Sequence, residues 1–382
     1  MGTRRTEAGS RRGTSASGTI PVRVATSTAK PRLESFDVAK AIAIIAVITG
    51  HTAIRFAGVP VVGAGASEAI ALTFTFHLPL FFFVSGYFLH TDRPFPIVKE
   101  LKALILPYAI TALAVVLAVT VLNLVWHDMG PTRLVILNWA NAALYGAGDI
   151  PANPLWPQPL RIGAIWFLLA MFWSRLFTLM ACRTGKASGL VVLALLFGGL
   201  LSVRYVFLPL SIQPAMCATL FVWSGLIARK YDFLARIERH TIVLVACFMI
   251  WSWAFIEYKG WGMAMALYGS GGLDIIRNCA GGIAATVLIL NICLRIEHCG
   301  ACNCFVWSAL ARMGTITLVV LCVHLFEDDV LRWGDIINSF SAFMPYPGAW
   351  MILNLVRVVI DVFIAWLIRK GTGRIATPSR AK

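Results

Sequence analysis

The sequence predicts an all-α, polytopic integral membrane protein of about ten transmembrane helices. Three observations carry that expectation. Of the 382 residues 59% are hydrophobic and only 13% are charged, more apolar surface than a soluble core of this length calls for. The apolar residues gather in runs long enough to span a bilayer. Lys and Arg collect beside alternate ends of those runs, as loops on the cytoplasmic side of a membrane do.

The runs fall at about 36–57, 68–89, 101–124, 162–181, 189–207, 212–228, 241–258, 274–294, 304–325 and 350–368. The first, S35-FDVAKAIAIIAVITGH-T52, is Ala, Ile and Val interrupted by a few ionisable groups. In the second, FTFHLPLFFFVSGYFL, His77 and Pro79 break an aromatic helix, and the proline frees a backbone carbonyl that a lined cavity would satisfy. The third carries Leu106-Pro107-Tyr108, and a Pro- and Trp-containing loop over about 125–161, the longest outside the spans, leads to the fourth. Arg204 and Pro209 interrupt the apolar stretch that forms the fifth and sixth, so nine or eleven spans also fit. Arg175, Arg277, Arg312 and Arg357 lie within or near spans, where pairing with Asp274 or Asp361, or contact with a substrate, would accommodate them.

With the amino terminus placed in the cytoplasm, that side receives the arginines of the first 32 residues, Arg93, Lys99, Lys102, Arg183, Lys186, Arg229, Lys230, Arg236, Arg239, Arg295 and the basic carboxyl-terminal residues. The other side receives Arg133, Arg161, Arg204, Lys259 and Arg332. Both termini are therefore expected in the cytoplasm. Residues 1–32 and 371–382 read as basic cytoplasmic tails around one transmembrane domain at 33–370. The first tail is disordered by composition and lacks the apolar core of a cleaved signal peptide. The net charge of +15 sits in short loops and tails, where it meets anionic lipid headgroups; nucleic acid is not expected as a partner. The nine cysteines show no disulfide spacing. Cys293, His298, Cys299, Cys302 and Cys304 lie close together but lack the distant second pair of a zinc site, so no metal is expected.

The chemistry concentrates in the first span. Lys40 and His51 are eleven positions apart, close to three helical turns, and so share one face about 16 Å apart. Asp37 and Arg55 extend that stripe. Ionisable groups facing lipid are costly, so the stripe is expected to face a protein interior or wet cavity. His51, His77 and His324, the last closing GTITLVVLCVHLF, all fall in the outer half of the bilayer, with Lys40 and Asp37 near the cytoplasmic face.

These segments resemble the acyltransferase-3 family of membrane O-acyltransferases, and within it the sugar O-acetylase branch, which includes fucose 4-O-acetylase-like proteins and acetylases of nodulation lipo-chitooligosaccharides. The carriers are D37-V-A-K40 with Gly50-His51, the block from Phe76 to Tyr87, Leu106-Pro107-Tyr108, I162-G-A-I-W166-F167-L168, and Gly314 to His324. Together they cover about 33 to 368. Much of the family has Arg where this chain has Lys40, which meets an anion as a point charge and without a bidentate clamp.

The resemblance implies transfer of an acetyl group from cytoplasmic acetyl-CoA, a co-substrate, to a sugar hydroxyl of an exported or surface glycan or glycolipid, at a bacterial inner membrane. A fucose-like or N-acetylglucosamine residue of a nodulation-type lipo-oligosaccharide is the acceptor that family analogy favours. His51 then acts as general base, or as a covalent acyl carrier, with Lys40 and Asp37 beside it. Lys40, Arg93, Lys99 and Lys102 would receive the donor's phosphates, although the last three equally satisfy the positive-inside rule. His77, Ser85, Tyr87, Trp166 and His324 are candidate substrate contacts; His77 would orient the acceptor or polarise the thioester carbonyl. Trp166, like Trp126, Trp139, Trp156 and Trp261, serves equally as an interfacial aromatic or a sugar-stacking surface. A multi-spanning secondary transporter is the competing reading, and an acyltransferase with a non-sugar acceptor or a longer acyl donor is another. Oligomeric state is not legible.

Overall fold

The computed structural model describes residues 33–237, 240–269, 271–299 and 304–373. The expected tails, apart from residues 371–373, and Cys302 lie outside them. No β-strand occurs among the described residues, and the chain is an array of helices, as the sequence predicts. Their order is α1 Glu34–Phe56, α2 Ala66–Phe74, α3 His77–Tyr87, α4 Ile97–Glu100, α5 Leu106–Trp126, α6 Thr132–Tyr145, α7 Trp166–Cys182 and α8 Ser188–Ser202. Then follow α9 Ile212–Lys230, α10 Phe233–Ile237, α11 Thr241–Ile256, α12 Gly272–His298, α13 Phe305–Gly314, α14 Thr317–Val330, α15 Trp333–Phe343 and α16 Trp350–Gly371.

Every one of the ten predicted runs is helical, and most of them meet the length and apolarity of a membrane span. Among the described residues seven helices are long and apolar enough to cross a membrane, and an eighth if the pair α13 and α14, bent by 74°, is one span. The runs at 212–228 and 241–258 fall short: α9 is diluted by Gln213 and its terminal Arg229 and Lys230, and α11 has only 16 residues. The second run is broken as expected, into α2 and α3. The imidazole Nδ1 of His77 lies 2.6 Å from the Thr73 carbonyl, so the side chain donates to an oxygen at the break that also accepts from the Phe76 amide at 3.3 Å.

Burial sorts the helices into a centre and a rim. The spans containing α1, α7 and α12 are 67% buried over their apolar windows, whereas those of α8 and α16 are 17% buried. The rim helices therefore present apolar side chains outward, as lipid-facing helices do. α1 packs against α2, α3, α12, α13, α14 and α16, and α9 packs against α3, α7 and α8.

Small residues let backbones meet at two places that shape the interior. A Cβ on Gly225 would sit 1.9 Å from the Phe83 carbonyl oxygen, and one on Gly86 would sit 1.8 Å from that of Val222, so α3 and α9 touch directly. A Cβ on Gly314 would lie 1.9 Å from the Asp37 carbonyl oxygen. That contact fixes the bend between α13 and α14 against the turn of α1 that carries Lys40.

Candidate active site

Helices α1, α3, α7 and α14, with the loops at 148–149, 161–164 and 261–265, enclose a cavity of about 700 Å³. Lys40, Ile44, Val47, His51 and Arg55 of α1 all line it, at the spacing of one helical face. Lys40 to Arg55 is fifteen positions, so the cavity follows α1 for about 22 Å. Lys40, Ser85 and Arg175 mark one end; Arg55, Arg161, Asp149 and Asp328 mark the other. The walls between them are apolar, from Val47, Phe81, Phe167, Met171 and Leu318 among others.

His51 lies between the ends. Its Nδ1 is 3.0 Å from Nε2 of His324, whose own Nδ1 is 3.1 Å from Asp361 Oδ2 and 3.1 Å from Glu327 Oε1. With both histidines neutral, one proton arrangement satisfies all of these contacts. The carboxylates can only accept, so His324 carries its proton on Nδ1 and accepts at Nε2. His51 then donates from Nδ1, and its Nε2 is left as a lone pair. A base is thereby held by a second imidazole and a carboxylate, the logic by which a buried acid fixes the tautomer and orientation of a catalytic histidine.

Arg357 closes this network from α16. It donates to Asp328 Oδ1 at 3.0 Å and to Thr52 Oγ1 at 2.9 Å, and pairs tightly with Glu327. Its guanidinium lies 4.1 Å from the centroid of the Trp333 ring. Arg55 pairs with Asp328 at 3.0 Å. His324, Glu327 and Asp361 place ligand-type atoms within 4.8 Å of one another. Both carboxylates, however, already share the His324 proton, and Glu327 has the Arg357 cation as its counter-charge.

His77 is buried and lines the same cavity, separated from His51 by Phe74, whose ring lies 6.3 Å from the first and 4.9 Å from the second. With Nδ1 donating to Thr73, the neutral ring offers Nε2 as an acceptor. That suits holding a hydroxyl better than polarising a carbonyl.

At the other end Lys40 Nζ lies 2.8 Å from Asp37 Oδ1, and Asp37 is buried behind it. Arg175 donates to Ser85 Oγ at 3.1 Å and to Glu100 Oε1 at 2.8 Å. Glu100 is buried at the start of a π-helical turn, Leu101–Ile105, and such turns often mark functional positions.

The structure thus gathers Lys40, His51, His77, Ser85 and Trp166 around one cavity, with Asp37 and His324 supporting it from behind. His324 is completely buried and reaches the cavity only through His51. Tyr87 does not line the cavity; its ring packs against Phe36, tilted by 35° with centroids 4.7 Å apart. Arg93, Lys99 and Lys102 are exposed and do not line it either. Sequence reasoning gave no role to Glu327 or Glu100, and it left Arg175 and Asp361 between interhelical pairing and substrate contact. Arg277 pairs with Asp274 at 2.9 Å, one of the pairings expected, while Arg357 chooses Glu327 and Asp328 and leaves Asp361 to His324.

A base held by a relay and facing an apolar cavity with cationic ends is suited to acyl transfer, and comparison with known families decides the class. The family model described as an acyltransferase domain matches residues 33–368. The chain belongs to the acyltransferase-3 family. No curated protein and no solved structure matches it. As an acyltransferase-3 member with at least seven apolar helices of spanning length, it is a multi-pass membrane acyltransferase.

Proposed function

We propose that this acyltransferase moves an acetyl group from cytoplasmic acetyl-CoA to a sugar hydroxyl of an exported or surface glycan, with His51 as general base. The observation that carries the reading is the His51–His324–Asp361 relay placed between two chemically different ends of one cavity. Lys40 and Arg175 make the end that suits phosphates and amide carbonyls of the donor. Lys40 stands about 16 Å from His51 along α1, comparable to an extended pantetheine arm, and the apolar wall between suits that arm. Arg55, Arg161 and Asp149, with Trp166 and Trp261 beside them, make an end suited to hydroxyls and sugar faces.

The chemistry follows from the proton arrangement. His51 Nε2 takes the acceptor's hydroxyl proton as its oxygen attacks the thioester carbonyl. His51 passes its Nδ1 proton towards His324, where Asp361 and Glu327 stabilise the positive charge. On collapse the C–S bond breaks, and the thiolate leaves with the proton returned from His51. With both termini cytoplasmic, the Lys40 end opens toward the donor's compartment and the Arg161 end toward the outer face. A nodulation-type lipo-oligosaccharide, modified on a fucose or N-acetylglucosamine, is the acceptor we favour. Membranes containing wild-type protein, given acetyl-labelled acetyl-CoA and a glycolipid extract, are expected to label lipid-linked sugar, and His51→Ala membranes are expected to give none.

A further inference from the structure

A second groove of about 650 Å³ lies beside α6, lined by Leu137, Asn138, Asn141, Pro157, Gln158 and Pro159. We propose that it binds sugar residues next to the one acylated, so that the acceptor is recognised as an oligosaccharide of several units; this rests on the glycan reading above. None of its six lining residues is charged, which fits a neutral ligand. Amides alternate with Leu and Pro, a pairing that matches the hydroxyl and acetamido groups of a sugar on one side and its apolar ring face on the other.

The groove is built rigidly. Asn141 Nδ2 donates to the Pro157 carbonyl at 2.8 Å, and Asn141 Oδ1 accepts from Trp156 Nε1 at 2.8 Å and Gln158 Nε2 at 3.2 Å. Trp156 packs edge-on against Tyr145, ring centroids 4.7 Å apart, and the Tyr145 hydroxyl accepts from the Leu155 amide at 2.9 Å. With Asn141 spent on holding the loop, Asn138, one turn earlier on the same face, keeps a side-chain amide that makes no hydrogen bond among the described residues. Gln158 is 6% exposed, and its Oε1 has no partner among the described residues.

Position links the groove to the chemistry. Pro159 lines the groove and Arg161 lines the catalytic cavity, two residues apart and so at most about 7 Å along the backbone. Adjacent residues of one saccharide chain reach both. Arg161 lines the catalytic cavity, and it is the cation of that cavity nearest in sequence to the groove.

The test is calorimetric binding of β-1,4-linked N-acetylglucosamine pentamer and dimer to the full chain in lipid nanodiscs, for wild type, Asn138→Ala and Asn138→Trp. The pentamer is expected to bind wild type at least tenfold more tightly than the dimer. That ratio is expected to fall several-fold in Asn138→Ala and to about one in Asn138→Trp, whose indole obstructs the groove. Equal binding of pentamer and dimer to wild type, no binding of either, or a ratio unchanged by Asn138→Trp overturns the proposal. Because binding is read without turnover, and acetyl transfer to the dimer is assayed separately, failure of the groove is distinguishable from failure of the acetyltransferase reading. A variant that binds the dimer as wild type does is folded.

Discussion

Replacing Asp361 by Asn isolates the electrostatic part of the relay. The amide keeps the carboxylate's shape and can still accept from His324 Nδ1, now 3.1 Å from Asp361 Oδ2, so the geometry at His51 is retained. What is lost is the charge opposite the imidazolium that forms when His51 hands its proton on. A hydrogen bond to a charged group contributes about 1.5–3 kcal/mol and a neutral one about 0.5–1.5 kcal/mol, so the substitution removes roughly 1–1.5 kcal/mol. At about 1.4 kcal/mol per factor of ten, kcat falls roughly 5- to 12-fold. Glu327 Oε1 also lies 3.1 Å from His324 Nδ1 and shares the load, so the Asp361→Asn, Glu327→Gln double variant is expected to lose about 2–3 kcal/mol, roughly 30- to 150-fold. The assay is single-turnover acetyl transfer with saturating donor, run beside a thermal unfolding scan of the single variant to show that the fold is intact. Single and double variants that both keep kcat within twofold of wild type would refute the relay and leave His324 as packing behind His51.

Three further outcomes follow from the same geometry. Lys40→Met is expected to raise the donor's KM about tenfold with kcat little changed, from loss of one charge-assisted contact of about 1.5 kcal/mol, and Lys40→Arg is expected to restore much of it; initial-rate kinetics against donor concentration read both. Arg357→Met strips Glu327 of its cationic partner and leaves Asp328 with Arg55 alone, and a loss of about 3 kcal/mol is expected as a lower Tm in detergent; an unchanged Tm contradicts the pairing. Gly225→Ala forces a methyl against the Phe83 carbonyl at 1.9 Å, so a destabilisation of about 1–3 kcal/mol, or more, should appear in the same scan, with Gly58→Ala costing less because no atom lies within 4 Å of its Cβ position.

The part of the site carried by one helix was legible in the sequence, because spacing on a helix fixes facing. Lys40, Ile44, Val47, His51 and Arg55 line one cavity as the periodicity requires. The break ahead of Pro79 was legible for the same local reason, because a proline has no N–H to give the carbonyl four residues before it. What escaped depends on packing between distant segments. His324 reads as a substrate contact until α14 and α16 are placed together, when Asp361, 37 positions away, proves to be its partner. Arg175 and Glu100 meet across 75 positions, and nothing local in either segment announces the pair. Arg93, Lys99 and Lys102 show the opposite problem. The positive-inside rule and a donor site ask for the same charges in the sequence, and in the structure these three residues do not line the cavity. Length and apolarity account for seven or eight of the expected helices, because α11 is short and α9 carries polar residues at its ends.

The most direct test of the account is transfer of labelled acetyl from acetyl-CoA to a glycolipid pool in membranes with matched amounts of wild-type and His51→Ala protein. Label in lipid-linked sugar with wild type, reduced at least a hundredfold in the variant, is the predicted result. Equal labelling in both would remove His51 from the chemistry, and no labelling of any sugar by wild type would contradict the proposed donor and acceptor.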